Sequence, residues 1–178
     1  MKKSTFISSL AFICLLLVST NVDAQKFAKL DKSPLDVTAY PTSNKEPNKI
    51  VKIVYSRPQL KGRELSKLAP NDKIWRTGAN EAPVVTFYKD MKVDGKTVKA
   101  GEYSLFTIPG ESAWTIILSK DVNVWGAYAY NEANDVLRVQ GKVTTANESI
   151  EAFSMAFDED GTLYLAWDKT RVSVPFTK

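Results

Sequence analysis

The stretch from Trp75 to Ala82, with the sequence WRTGANEA, places an aromatic ring, a guanidinium, a hydroxyl, an amide and a carboxylate within eight residues. Its apolar residues follow neither the helical nor the strand period, which indicates a loop. Loops hold a disproportionate share of binding residues because a rigid scaffold presents them at the surface. The stretch is therefore the strongest candidate in the chain for a functional site.

Two arginines in or near this stretch are candidate ligands for an anion. Arg57 precedes Pro58, which favours an extended backbone, and Arg76 follows Trp75 directly. A guanidinium can bind a carboxylate or a phosphate through two parallel hydrogen bonds. The alternative is an internal ion pair between Glu81 and either arginine, which would fasten the loop to the scaffold.

Asn80 and Glu81 are candidates for binding a sugar hydroxyl or a calcium ion, and Glu81 for acting as a general base. A glycosidase would need a second carboxylate, and Glu102 is the candidate. The alternative is turn chemistry, in which Gly78 supplies a permissive backbone and Asn80 caps its own loop.

The four tryptophans divide into two pairs. Trp114 and Trp167 lie in phase with aliphatic neighbours, which predicts core positions. Trp75 and Trp125 lie in loop-like surroundings, so each is a candidate wall of a binding surface on which a sugar ring could stack. Gly126 would allow close approach to the Trp125 ring, although the same segment could instead plug one end of the scaffold.

Composition excludes several classes of chemistry. The chain has no histidine and one cysteine, Cys14. Zinc, iron–sulfur and haem sites are therefore not expected, and any metal would have to be a hard cation held by oxygens. Because turn chemistry is favoured over calcium binding at Asn80 and Glu81, we predict no metal and no cofactor. Ser56 and Ser104 have no histidine to activate them as nucleophiles. The formal charge of +4 is interspersed along the chain, without the basic run that would predict nucleic-acid binding.

Residues 1–24 have the pattern of a secretory signal peptide. Lys2 and Lys3 precede an apolar segment, and the residues from Val22 to Ala24 fit a cleavage site. The apolar segment is shorter than the roughly 20 residues of a membrane helix, although an uncleaved anchor is the alternative. We therefore expect an exported protein, periplasmic or extracellular, with no membrane span after cleavage.

The rest of the chain predicts an all-β fold. Residues 25–48 contain three prolines and read as an extended N-terminal arm. Residues 49–178 show short alternating runs separated by turn signals such as Asp94-Gly95 and Asp160-Gly161. We predict a single antiparallel β-sandwich, jelly-roll-like, of about nine or ten strands with minor helical turns near 64–68 and 124–132. The predicted strands are 50–55, 84–88, 91–93, 96–98, 102–108, 113–119, 136–143, 150–157, 162–167 and 171–176.

Several blocks together resemble the bacterial domain-of-unknown-function 2911 family. They are 32–36 (KSPLD), 55–58 (YSRP), 61–63 (KGR), 75–82 (WRTGANEA), 100–110 (AGEYSLFTIPG), 125–126 (WG) and 166–167 (AW). The resemblance covers about residues 30 to 176, nearly all of the chain after the predicted signal peptide. It implies an exported protein of Gram-negative envelopes and carries no established activity.

Three functions follow as hypotheses. The first is a non-catalytic envelope binding domain, in which Arg57, Arg76, Asn80 and Glu81 form a polar pocket walled by Trp75 or Trp125. Its ligand would be a small anionic or sugar-like molecule, or an envelope protein. The second is a hydrolase that acts on a glycan or ester with Glu81 as its base. The third is a structural or assembly role in which the stretch from Trp75 to Ala82 only fastens a loop.

Overall fold

The structure, a computed structural model, describes residues 25–177 and consists mainly of antiparallel strands. The chain divides after Leu30 into two compact units. Of the first unit, residues 25–30 are described and form neither helix nor strand. The predicted signal peptide, residues 1–24, lies outside the described residues. Among those that are described, no helix is long and apolar enough to span a membrane.

The second unit contains one open sheet of nine strands. The strands are β1 (Leu35–Tyr40), β2 (Val51–Ser56), β3 (Val84–Phe87), β4 (Met91–Val93), β5 (Lys96–Val98), β6 (Gly101–Ile108), β7 (Ala113–Ser119), β8 (Asp135–Phe157) and β9 (Thr162–Thr177). Their order in the sheet is β1-β2-β3-β6-β7-β8-β9-β4-β5, and every pair is antiparallel. The helical turns are α1 (Leu65–Leu68) and a 3₁₀ turn at Glu132–Asn134.

Alternation of side chains explains why the strands form where they do. In β2, Val51, Ile53 and Tyr55 are buried, whereas Lys52 and Val54 are partly exposed. Successive side chains of a strand point to opposite faces, so this pattern gives the sheet a core face and an outer face. β3 repeats it, with Val85 and Phe87 buried.

The sheet curls so that strands distant in the sheet order face each other across the core. Phe87 of β3 stacks on Phe176 of β9, with ring centroids 6.0 Å apart. Tyr55 of β2 packs edge-on against Phe153 of β8 at 5.9 Å. These contacts give the two-layer arrangement of a sandwich, which confirms the predicted all-β, sandwich-like fold.

The two longest strands differ from the prediction. Residues 136–143 and 150–157 were predicted as separate strands but belong to β8, and residues 162–167 and 171–176 both belong to β9. The register between β8 and β9 shifts twice, between Thr145 and Ile150 and between Ile150 and Ser154. Such irregularities bend a strand without ending it, so one pair of strands serves both layers.

The N-terminal arm contributes a strand to the sheet. β1 lies within it and pairs with β2 from Leu35↔Ser56 to Tyr40↔Val51. Leu35 and Val37 are 70% and 49% exposed, because they point to the outer face at the edge of the sheet. The arm therefore supplies surface that continues the outer face of β2 and β3.

Candidate functional site

A groove of about 300 Å³ lies on the outer face of β1, β2 and β3, and we call it the polar groove. Its larger aliphatic side chains are those of Leu35, Val54 and Val84. Val54 and Val84 are register partners on neighbouring strands, so they form a continuous surface. Its polar lining residues are Asp31, Ser33, Ser56, Asn80 and Glu81. Trp125 and Tyr55 are its aromatic residues, and Ala82 and Pro83 complete the lining.

Backbone pairing between two loops fixes the rim of the polar groove. Glu81 and Trp125 form an isolated antiparallel bridge. The amide of Gly126 donates to the carbonyl of Asn80 at 2.9 Å, and the amide of Ala82 donates to the carbonyl of Val124 at 3.0 Å. The structure thus brings together three of the six residues predicted for the site: Asn80, Glu81 and Trp125.

The side chains at this rim are open to solvent. Trp125 is 63% exposed, an unusual position for a large aromatic ring. Glu81 is also exposed, and no hydrogen bond or ion pair engages its carboxylate among residues 25–177. Gly126 has φ +68, and the ring that covers it is that of Tyr128. An indole face and a free carboxylate are therefore available to a ligand.

The charge of the polar groove is negative. Asp31 and Glu81 line it, and its lining contains neither lysine nor arginine. One Asp31 oxygen accepts a hydrogen bond from the amide of Ser33 at 2.6 Å, which orients the carboxylate. This environment suits a neutral polar ligand with hydroxyl donors and opposes an anion.

Arg57 does not line the polar groove. Its guanidinium donates to the carbonyl of Phe153 at 3.0 Å, to Ser154 Oγ at 2.6 Å and to an Asp36 carboxylate oxygen at 3.0 Å. Its ion pair is with Asp36 and not with Glu81, which corrects the pairing considered from the sequence. Arg57 joins β1 and β2 to β8, so its role here is structural.

Trp75 is a core residue, contrary to the prediction that it walls a binding surface. It is 5% exposed and stacks on Trp167 with ring centroids 5.6 Å apart. Phe153 and Trp114 pack edge-on against it at 5.1 and 6.0 Å. The backbone of Trp75 pairs with Thr107 of β6, which turns the indole inward.

Arg76 also lies outside the lining of the polar groove. It forms no ion pair with a carboxylate in the part of the chain that the structure describes, so the proposed pair with Glu81 is absent. Its Nε is buried without a hydrogen-bond partner. Half-buried and next to Trp75, it cannot serve as the anion-binding wall of this groove.

The turn between Trp75 and Glu81 works differently from the turn expected. The residues with positive φ are Thr77 and Asn80, at 57° and 61°. The role of Gly78 is steric, because a Cβ there would lie 3.0 Å from the Ser56 carbonyl oxygen. Thr77 is fully buried and donates to Thr107 Oγ1 at 3.1 Å. A β-branched residue with positive φ is strained, so this bond helps to hold the turn.

The comparisons with known proteins give one match. The model of the family described as "Protein of unknown function (DUF2911)" matches residues 36–176. The chain belongs to this family. Neither the curated proteins nor the solved structures gave a match.

The DUF2911 match begins at Asp36, whereas Asp31, Ser33 and Leu35 line the polar groove just before it. Sequence reasoning missed these three residues, because it treated the arm as a connection to the domain. The signal that could have found them is the apolar alternation of Leu35, Val37 and Ala39, which is typical of a strand.

A second cluster of the DUF2911 domain anchors the loop that carries Trp125. The Tyr130 hydroxyl donates to Asp135 Oδ2 at 2.6 Å, and Arg138 Nε donates to the same oxygen at 2.7 Å. Arg138 also donates to the Tyr130 hydroxyl and to Glu132. The sequence contained no pattern that predicted this cluster, which forms where the loop joins β8.

Burial and the hydrogen bond to Asp135 raise the pKa of Tyr130 to about 12. The neutral phenol is thus favoured by folding, so its contribution to stability is complete below pH ~10, the ordinary tyrosine value, and disappears as the pH rises to about 12. We expect the phenolate absorbance of the native protein, minus that of Tyr130→Phe, to rise near pH 12. If this absorbance difference rises at about pH 10 instead, the assignment of the raised pKa to Tyr130 is contradicted.

One further candidate is not part of the polar groove. Glu102, considered as a second catalytic carboxylate, does not line it and accepts a hydrogen bond from Thr86 Oγ1 at 3.2 Å. Among the described residues, no group of three or more carboxylates could hold a metal ion. The chemistry available at the groove is hydrogen bonding by carboxylate, amide and hydroxyl groups beside an indole ring.

Proposed function

We propose that this protein is an exported, non-catalytic binding domain whose polar groove takes a sugar-like ligand. The observation that carries the proposal is the Trp125 ring, 63% exposed beside the unpaired carboxylate of Glu81. Sugars combine apolar ring faces with hydroxyl groups, so a stacking aromatic and hydrogen-bond acceptors suit them together. Export is supported by the signal-peptide pattern of residues 1–24.

The lining favours the sugar-like ligand over the small anion. Neither Arg57 nor Arg76 lines the polar groove, whereas two carboxylates do. At an effective dielectric constant of about 20, like charges 4 Å apart repel by ~4 kcal/mol. An anionic group would therefore have to lie outside the groove.

Thermal denaturation with envelope sugars tests the proposal on the purified protein. A ligand at a hundred times its Kd adds ~2.7 kcal/mol of stability, which raises Tm measurably. We expect Trp125→Ala and Glu81→Gln to lose this rise while remaining folded. Tyr164→Ala is the matched control, because it removes an exposed aromatic ring from β9, and it should retain the rise.

Two results would contradict the proposal. One is that no sugar raises Tm although the protein is folded. The other is a rise that survives both Trp125→Ala and Glu81→Gln, which would place the sugar elsewhere on the molecule.

A second candidate function is a glycan hydrolase. The observation that favours it is that Asp31 joins Glu81 in the lining of the polar groove, so two carboxylates face one ligand site. Glycosidases use such a pair as acid and base or nucleophile. If this is the function, the wild type will release product from an envelope glycan, and both Glu81→Gln and Asp31→Asn will lose turnover while still binding. Binding without turnover would exclude it.

A further inference from the structure

Three lysines gather at the opposite end of the outer face from Trp125. Lys49, Lys52 and Lys89 line a groove of about 610 Å³ together with Tyr88, whose side chain is 52% exposed. Pro47 and Asn48 complete its lining, which contains no carboxylate. We call this surface the lysine patch.

The charge of the lysine patch is not neutralised by carboxylates. Lys49 Nζ donates to the carbonyls of Pro41 and Ser43 at 2.6 and 2.7 Å, which fixes the ammonium without cancelling its charge. Lys52 and Lys89 take part in no ion pair within residues 25–177.

Three acidic residues lie near the lysine patch in the chain or in the sheet register. Glu46 accepts a hydrogen bond from the amide of Asn48, and Glu102 accepts one from Thr86. Asp90, which follows Lys89, forms its ion pair with Lys99. Of these three carboxylates, Asp90 is paired with a cation, whereas Glu46 and Glu102 keep their negative charges. The three lysines of the patch outnumber these two, so the patch carries a net positive charge available to an anionic group.

A hollow and a pair of register-matched valines link the lysine patch to the polar groove. A hollow of about 480 Å³ shares Lys49 and Lys52 with the patch and extends to Val37. Val37 is the register partner of Val54, which lines the polar groove. Along β2, Ser56, Val54 and Lys52 point to the same outer face, and Ser56 and Lys52 are separated by ~13 Å at about 3.3 Å per residue.

We propose that the polar groove and the lysine patch form one elongated site whose ligand is an anionic oligosaccharide. Uncharged rings of the chain bind at Trp125, Asn80 and Glu81, where an anion is disfavoured. The carboxylate or sulfate groups of the same chain bind at Lys52 and Lys89. The intervening apolar strip of Val37 and Val54 accommodates the faces of the sugar rings. This inference rests on the proposed function and specifies its ligand.

Calorimetric titration with two tetrasaccharides of the same length, one neutral and one with carboxylates at one end, tests this proposal. At low salt we expect the acidic compound to bind roughly ten-fold more tightly, which corresponds to about 1.4 kcal/mol. The preference should shrink as salt is raised, because the Debye length falls from about 30 Å at 0.01 M to about 3 Å at 1 M.

Two double variants test which lysines cause the preference for the acidic tetrasaccharide. Lys52→Gln with Lys89→Gln should abolish it and leave the affinity for the neutral compound unchanged. Lys120→Gln with Lys142→Gln is the matched control, because it removes the same charge from exposed lysines of other strands and loops. The control should retain the preference.

The outcomes separate this inference from the proposed function. Equal binding of both compounds, or a preference that survives Lys52→Gln with Lys89→Gln, would overturn the elongated anionic site but leave the sugar-binding groove. Binding of the acidic compound alone, unchanged by Trp125→Ala, would mean attraction to the lysines only and would overturn the joint site. Binding of neither compound would overturn both proposals.

Discussion

Trp75→Ala is expected to lower the free energy of unfolding by about 3–5 kcal/mol, the range for removing a large aromatic side chain from a core. The indole is 5% exposed and contacts three other aromatic rings, so no neighbour can collapse into the space without losing its own packing. Urea denaturation of wild type and variant, compared at equal m values, measures the loss.

Trp125→Ala is the matched control for this prediction. It deletes the same atoms from a ring that is 63% exposed, and surface substitutions usually change stability by no more than about 0.5 kcal/mol. We therefore expect Trp75→Ala to lose stability but, when folded, to keep an unchanged polar groove. We expect Trp125→Ala to keep its stability but to lose the proposed ligand binding in the polar groove. Equal stability losses in the two variants would contradict the assignment of Trp75 to the core and of Trp125 to the surface.

The burial of Trp75 and the exposure of Trp125 could not be predicted from the sequence. Both lie in loop-like surroundings, and their neighbours in sequence give no sign of which ring is buried. Burial of Trp75 is decided by Phe153 and Trp167, which come from strands at the far end of the chain. Strand alternation is a local signal, so it located β2, β3, β6 and β7 well; ring-on-ring packing across the sheet is not local.

The partners of Arg57 could not be predicted from the sequence either. Sequence proximity to Pro58 suggested a surface anion ligand or a pair with Glu81, but the curled sheet places it beside Asp36 of β1 and Ser154 of β8. Each of the three guanidinium nitrogens instead donates a hydrogen bond within the protein. Only the order of strands, which spacing does not reveal, determines this choice of partners.

Part of the polar groove could be predicted because five of its lining residues, 80–84, form one continuous segment. Asn80 and Glu81 are adjacent, so their joint presence at a rim needs no tertiary knowledge. The contributions of Asp31, Ser33 and Leu35 depend on β1 pairing alongside β2, which extends the outer face toward the arm. The proposed ligand site therefore depends on the edge strand β1 as well as on the loop from Trp75 to Ala82.

A second large effect on stability is expected at a turn glycine, Gly161. Asp94-Gly95 and Asp160-Gly161 look alike in sequence, and both glycines have positive φ, +76 and +89. At Gly161 an added Cβ would overlap the carbonyl oxygen of Phe176. The two residues are already joined by a hydrogen bond from the Phe176 amide to the Gly161 carbonyl, at 3.0 Å. At Gly95 nothing lies within 4 Å of that position. The two turns therefore share the backbone requirement and differ only in the surrounding space.

Gly161→Ala should consequently lose more stability than Gly95→Ala. The positive φ alone costs about 1–2 kcal/mol for an L-residue, which both variants bear. Displacing the Phe176 backbone adds about 1–3 kcal/mol of overpacking strain at Gly161. Thermal and urea denaturation of the two variants measure the difference, and equal losses would contradict it. Since Phe176 stacks on Phe87 of β3, a displaced Phe176 would also loosen this contact between the two layers.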